Sequence, residues 1–143
     1  MKAVSTALED ATALLRSTDT RIAVVGASND PSKYGNIIVE NLLQHGYQVV
    51  PVNLKGGTIA GLPAFRSLME LPEAVDIVDV VTPPSATRQV LKDAAAAGLD
   101  LVWLQDGSFD RTVLNEAEAS PLKVVHHACI MVVASQARAA RRP

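Results

Sequence analysis

Aromatic residues are scarce in this chain, with Phe, Trp and Tyr together making up 3% of its 143 residues. A core must therefore come from Val, Ile, Leu and Ala, and the 48% hydrophobic content supplies enough of them. That mixture suits buried β-branched strands covered by Ala- and Leu-rich helices. Cysteine is limited to Cys129, which excludes an intrachain disulfide and cannot by itself build a zinc site. Excess charge is lacking too: 13 basic against 15 acidic residues leave −2, no field for gathering nucleic acid or an anionic membrane. No apolar run approaches the ~20 residues that span a bilayer. The first residues, MKAVSTALEDATALL, mix acids with apolar positions and lack a signal-type core. The expectation is one cytoplasmic domain.

Val4, Leu8, Ala11 and Leu15 recur at helical spacing, predicting an amphipathic N-terminal helix over residues 3–17, packed on the domain within a 1–20 segment. Arg21 opens the apolar run Ile22-Ala23-Val24-Val25, a strand buried on both faces that stops at Gly26. A helix from Asn36 ends at His45-Gly46. Gln48–Val52 is a second strand, and Pro51 within it marks an edge or a bulge. A glycine-rich loop and a short helix from Phe65 to Glu70 follow. Asp76–Val81, Leu101–Leu104 and Lys123–Val125 complete five strands. Ser85 and Asp110 are the expected caps of the intervening helices. The alternation predicts a Rossmann-like α/β fold: a doubly wound, parallel, five-stranded sheet in a single three-layer domain over residues 21–135. The basic tail, Gln136–Pro143, is expected to be a frayed helix or disordered.

In such sheets ligands lie beyond the carboxyl ends of the strands, at the switch point beside the first. Gly26-Ala27-Ser28-Asn29-Asp30-Pro31-Ser32-Lys33-Tyr34-Gly35 occupies that place. Gly26 permits a sharp turn and close approach of a ligand. Ser28 offers a hydroxyl, the next helix its unpaired N–H groups, and Lys33 a charge, which together are the parts of a phosphate cradle. Any β-to-α turn favours Gly, Ser, Asn and Pro for conformational reasons alone. Neither GxGxxG nor a P-loop is present. NAD-binding domains place a carboxylate at the end of the second strand to hold the ribose hydroxyls. Here Asn53-Leu54-Lys55 stands there, and a lysine favours a phosphorylated ribose, as in coenzyme A or NADP.

The run IAVVGASNDPSKYGNIIVENLLQHGYQVVPVN, followed by VDIVDVVTPPSAT, AGLDLVWLQDG and CIMV, closely resembles the small single-domain CoA-binding proteins. Their fold is similar to the CoA-binding domain of the succinyl-CoA synthetase alpha subunit. The stretch VNLKGGTIAGLPAF also looks like a loop of that subunit. The resemblance implies that Gly26, Ala27 and Ser28 lie against the phosphates of coenzyme A, with Lys33 and Tyr34 closing over them. It implies that Asn53 and Lys55 face the adenosine end, that Thr82, Pro83 and Pro84 line the other side, and that Gln105 reaches the ligand. Trp103 is expected to pack in the core. Two features depart from the family: His127-Ala128 stand where an Asp-Arg pair commonly precedes the cysteine, and Thr82 replaces an arginine.

His126, His127 and Cys129 are the only cluster with catalytic or metal potential. Adjacent histidines on a strand point to opposite faces, so a shared ion is not expected. Cys129 can be a buried small hydrophobe, a nucleophile activated by His127, or a partner in a mixed disulfide with the coenzyme A thiol. Asp79, inside an apolar run, is expected to hydrogen-bond a neighbouring loop. No nucleophile, base and oxyanion donors assemble. The expected function is non-catalytic recognition of coenzyme A, a small-molecule ligand, with no nucleic acid or membrane as partner. The alternatives are an NADP-dependent oxidoreductase and an interaction protein with a vestigial nucleotide pocket.

Overall fold

The computed structural model describes residues 4–141; residues 1–3 and 142–143, with their share of the helix and tail expectations, lie outside the described residues. Helix α1 (Val4–Leu15) precedes strand β1 (Arg21–Val25), helix α2 (Tyr34–Gln44) and strand β2 (Gln48–Val52). A small hairpin, β3 (Thr58–Ile59) and β4 (Leu62–Pro63), leads to a single 3-10 turn, Leu68–Glu70. Then come β5 (Ile77–Val80), α3 (Pro84–Ala96), β6 (Leu101–Leu104), α4 (Arg111–Ala119), β7 (Lys123–His126) and α5 (Ile130–Arg141). The five long strands form one sheet in the order β2-β1-β5-β6-β7, with every pairing parallel. The doubly wound α/β expectation is met.

The strands alternate between two cores. Ile22, Val24, Ile77, Trp103 and Val125 pack with α1, α2 and α5, while Ala23, Val78, Val80, Val102 and Leu104 pack with α3 and α4. Parallel strands buried on both sides need apolar residues at every position, which explains the unbroken β-branched runs. Trp103 is fully buried, as expected, and its indole N–H donates to Ala128 O at 2.9 Å. Pro51 lies on the edge strand β2, where a missing donor is tolerated. Phe65 N donates to Pro51 O and Asn53 N to Phe65 O, so the chain after β4 covers part of that edge.

Four local expectations are corrected. The loop after β2 contains the β3–β4 hairpin, whose two-residue turn holds Ala60 and Gly61 at φ 52° and 78°, the twist hairpins favour. Helix α3 starts at Pro84 with Pro83 as its cap residue, two residues before the expected cap Ser85; proline's fixed φ suits the first helical position. Residues 136–141 are the second half of α5 rather than a frayed tail. Ala134 and Ala137 bury against the sheet, and Arg141 Nη1 donates to Leu15 O at 2.8 Å. Asp79 has no loop partner: it is 0% exposed and both carboxyl oxygens lack a hydrogen bond.

Candidate functional site

The strand order reverses between β1 and β5, so the loops leaving these strands diverge to opposite faces and open a crevice above the sheet. Gly26 turns the chain at φ +98°, and a Cβ there would lie 2.8 Å from Val81 Cγ2. Gly35, in the first turn of α2, is closer still: its Cβ would meet Gly26 O at 2.0 Å. The two glycines let α2 begin directly against the end of β1. The N–H groups of Tyr34 and Gly35, in that first turn, have no acceptor among the described residues. Open donors at the positive end of a helix form an anion site.

Three asparagines hold this turn in shape. Asn53 Nδ2 donates to Ala27 O at 2.7 Å, Asn36 Nδ2 to Ser28 O at 3.0 Å, and Asn29 bridges to the hairpin through Thr58 O and Ala60 N. The backbone carbonyls that would repel an anion are thereby occupied by donors. Asn53 Oδ1 also accepts from Lys55 N at 2.8 Å, so its amide is engaged by protein at both ends. Ser28 Oγ accepts from Asp30 N, and its hydroxyl hydrogen remains to be donated. Lys33 and Lys55 are exposed and neither forms an ion pair among the described residues.

Beside the turn, on the α3 face of the sheet, lies an apolar cleft of about 250 Å³. Val25, Val52, Leu54 and Val90 give it apolar walls, and Thr82, Arg66 and Asp93 line it too. Leu54, 87% exposed, stands free above it. Arg66 belongs to no motif, so nothing in the sequence singles it out; it lies within 3.4 Å of the Cβ position of Gly56, beside Lys55. Thr82 Oγ1 pairs with Thr87 Oγ1 at 2.8 Å, and Pro83 and Pro84 start α3, so this turn forms the second wall.

Tyr34 and Gln105 are brought together on the other face. Gln105 is 1% exposed; its Nε2 donates to Tyr34 Oη at 2.9 Å and its Oε1 accepts from Ile130 N at 3.1 Å. Burial, then the contact with Cys129, raises the Tyr34 hydroxyl to about 12, so it stays protonated. His126 and His127 do not point to opposite faces. His127 leaves the strand at φ +61°, which folds the two rings together at 4.7 Å and against Phe109. Burial and then His127 lower the His126 pKa. Among the described residues no three His, Cys, Asp or Glu side chains gather where they could hold a metal. No described helix is long and apolar enough to cross a membrane.

Residues 20–135 match the sequence model of the CoA binding domain. The chain belongs to that family. The alpha subunit of the ADP-forming acetate–CoA ligase I of Pyrococcus furiosus is 35% identical over 94 residues, 62% of this chain and 20% of that protein. The domain thus spans about a fifth of the length of the ligase subunit it resembles. Whole chains of similar size match over more of their length. A conserved hypothetical protein from Pyrococcus furiosus superposes with a TM-score of 0.76 at 42% identity, covering 79% of this chain and 97% of that one. A protein from Thermus thermophilus superposes with a TM-score of 0.78 at 36% identity, covering 90% and 97%.

Proposed function

We propose that this domain binds coenzyme A by recognition alone, holding its phosphates and its adenosine. The observation that carries the proposal is the end of β2: Lys55, exposed and without an ion pair among the described residues, follows Leu54 at the rim of a cleft lined also by Arg66 and Asp93. A carboxylate in that position would select ribose hydroxyls, whereas a cation selects a phosphate on the ribose. The residues present fit the whole ligand. The cleft between β2 and α3 suits the adenine ring, and Lys55 the ribose phosphate. The Gly26 turn, Ser28, Lys33 and the open N–H groups of α2 suit the pyrophosphate. The arm would run past Thr82, Pro83 and Pro84 towards Gln105. When bound, coenzyme A would supply a thiol, and this chain's part is to hold and orient it. Asn53 contributes indirectly, by fixing Ala27 and Lys55. Such a module works in the cytoplasm on a small molecule, without nucleic acid or membrane as partner.

Calorimetric titration with coenzyme A, its form lacking the ribose phosphate, and NADP tests this assignment. Lys55→Ala should weaken coenzyme A by about 1.5–3 kcal/mol, the worth of a charged hydrogen bond, and leave the dephosphorylated form unchanged. Equal losses for both ligands reject the phosphate contact. Tighter binding of NADP than of coenzyme A would favour an oxidoreductase.

A further inference from the structure

On the α2 and α5 face of the sheet lies a cluster of side chains around a thiol that phosphate and adenosine recognition does not use. Cys129 precedes α5, and its carbonyl accepts from Val132 N and Val133 N at 3.1 and 3.2 Å, the bonding of a cap residue. Its side chain is half-buried. Tyr34 Oη lies 3.5 Å from Sγ, and Gln105 Nε2 donates to Sγ at 3.7 Å. Burial pushes the thiol up, but Tyr34, the N–H groups of Val132 and Met131, and Gln105 outweigh it and leave the thiol below its ordinary value. His127 takes no part; its ring is turned to His126 and Phe109.

A second, independent feature points into the same place. Asp79 pairs in register with Val24 and Trp103, two residues of the core on this face, so its carboxyl lies beneath the thiol cluster, near enough to feel Cys129 and Tyr34. It is fully buried with neither oxygen bonded, a cost that nothing in the packing offsets. Burial and then the negative charge of Cys129 hold its pKa far above the ordinary carboxylate value. The thiolate thus opposes ionisation of the acid, and a neutral Asp79 leaves the negative charge to sulfur.

Strand β7, which delivers Cys129, lies three strand spacings from β1, ~14 Å. The pantetheine arm, two amide units with their spacers, reaches about as far as four extended residues, ~14 Å. We propose that Cys129 is a thiol-exchange site for disulfides of the coenzyme A class, a proposal that rests on the coenzyme A reading above. The Cys129 thiolate, its proton released to water, attacks one sulfur of coenzyme A disulfide. A Cys129–coenzyme A disulfide forms as the old S–S bond breaks, and the departing thiolate takes the electron pair and a proton from solvent. No further oxidant is required, because the attacked disulfide is itself reduced.

Intact-mass spectrometry of the protein with coenzyme A disulfide or glutathione disulfide at equal concentration tests it. One coenzyme A mass should be added, be removed by dithiothreitol, and be absent in Cys129→Ser. Binding next to the sulfur should make this reaction about tenfold faster than that of glutathione disulfide, or more. Lys55→Ala should slow the coenzyme A reaction by about ten- to 150-fold, matching its lost affinity, and leave the glutathione reaction unchanged. Equal rates for the two disulfides would overturn the assignment. So would the absence of an adduct in a protein that binds coenzyme A by calorimetry, an outcome that leaves the binding function standing. Equal rates without calorimetric binding would overturn both.

Discussion

Replacing Asp79 by Asn isolates the cost of burying an acid at the centre of the sheet. The side chain is 0% exposed and no donor reaches either oxygen. Burial therefore raises its pKa well above 3.8, with Cys129 adding to the effect. The unfolded chain ionises near the ordinary value, so above that pH folding must bind a proton. Stability then falls as pH rises through the window between the unfolded and the raised folded pKa. The slope approaches about 1.4 kcal/mol per pH unit for as long as the folded protein keeps the acid protonated and levels off once pH passes the raised folded pKa. Asparagine has nearly the same shape and no such slope. Its amide is also left unpartnered, a penalty of about 1–3 kcal/mol that does not vary with pH.

Urea unfolding of both proteins at pH 5, 6 and 7 reads the difference directly. The histidines are common to both chains and cancel in the comparison. The gap should move in favour of Asp79→Asn as pH rises from 5 to 7, at up to about 1.4 kcal/mol per pH unit. Two curves that run parallel would refute the reasoning, because they would mean that Asp79 is already ionised in the folded protein.

Gly35→Ala puts a Cβ 2.0 Å from Gly26 O, and backbone must move to admit it. A loss of about 1–3 kcal/mol in urea unfolding, together with weaker coenzyme A binding, is expected; unchanged binding would show that the turn's position is not critical. Asp110 accepts from Val113 N at 2.9 Å as the cap of α4. Asp110→Ala should cost about 1 kcal/mol, recovered largely by Asn, which thermal or urea unfolding checks.

The strands were legible because parallel strands buried on both faces leave unbroken runs such as Ile22–Val25, bounded by a glycine or a polar residue. Pro51 announced its edge position, and Asp110 its cap. The β3–β4 hairpin was not legible, since two-residue strands carry no alternation. Helix α5 was hidden by the arginines of its last turn, although Ile130, Ala134 and Ala137 already show the buried spacing of i, i+4 and i+7. Of the site, the Gly26 turn could be read from position alone, and Lys55 from the strand it follows. Gly35 could not, because nothing local distinguishes a glycine that packs on a carbonyl from one that merely loosens a helix. Gln105 was expected at the ligand, yet both ends of its amide bond protein groups, a pairing set by residues far away in the chain.

Tyr34, Asp79, Gln105 and Cys129 illustrate why the thiol cluster escapes a linear reading. Each belongs to a different strand–helix unit, and side-chain parity together with strand order brings them to one face. Asp79 and Trp103 are register partners, and Gln105, two residues beyond Trp103, continues on the same face. Cys129 arrives from the last strand and Tyr34 from the first helix. The apolar cleft on the opposite face is bounded by Val25 and Val52, residues of the other parity and the other core. On the proposed reading, coenzyme A crossing the carboxyl edge at the switch point would meet the apolar cleft at one end and the thiol cluster at the other. A buried acid without a partner is then explicable as the neutral neighbour of a reactive sulfur, a role that its place in an apolar run alone does not suggest.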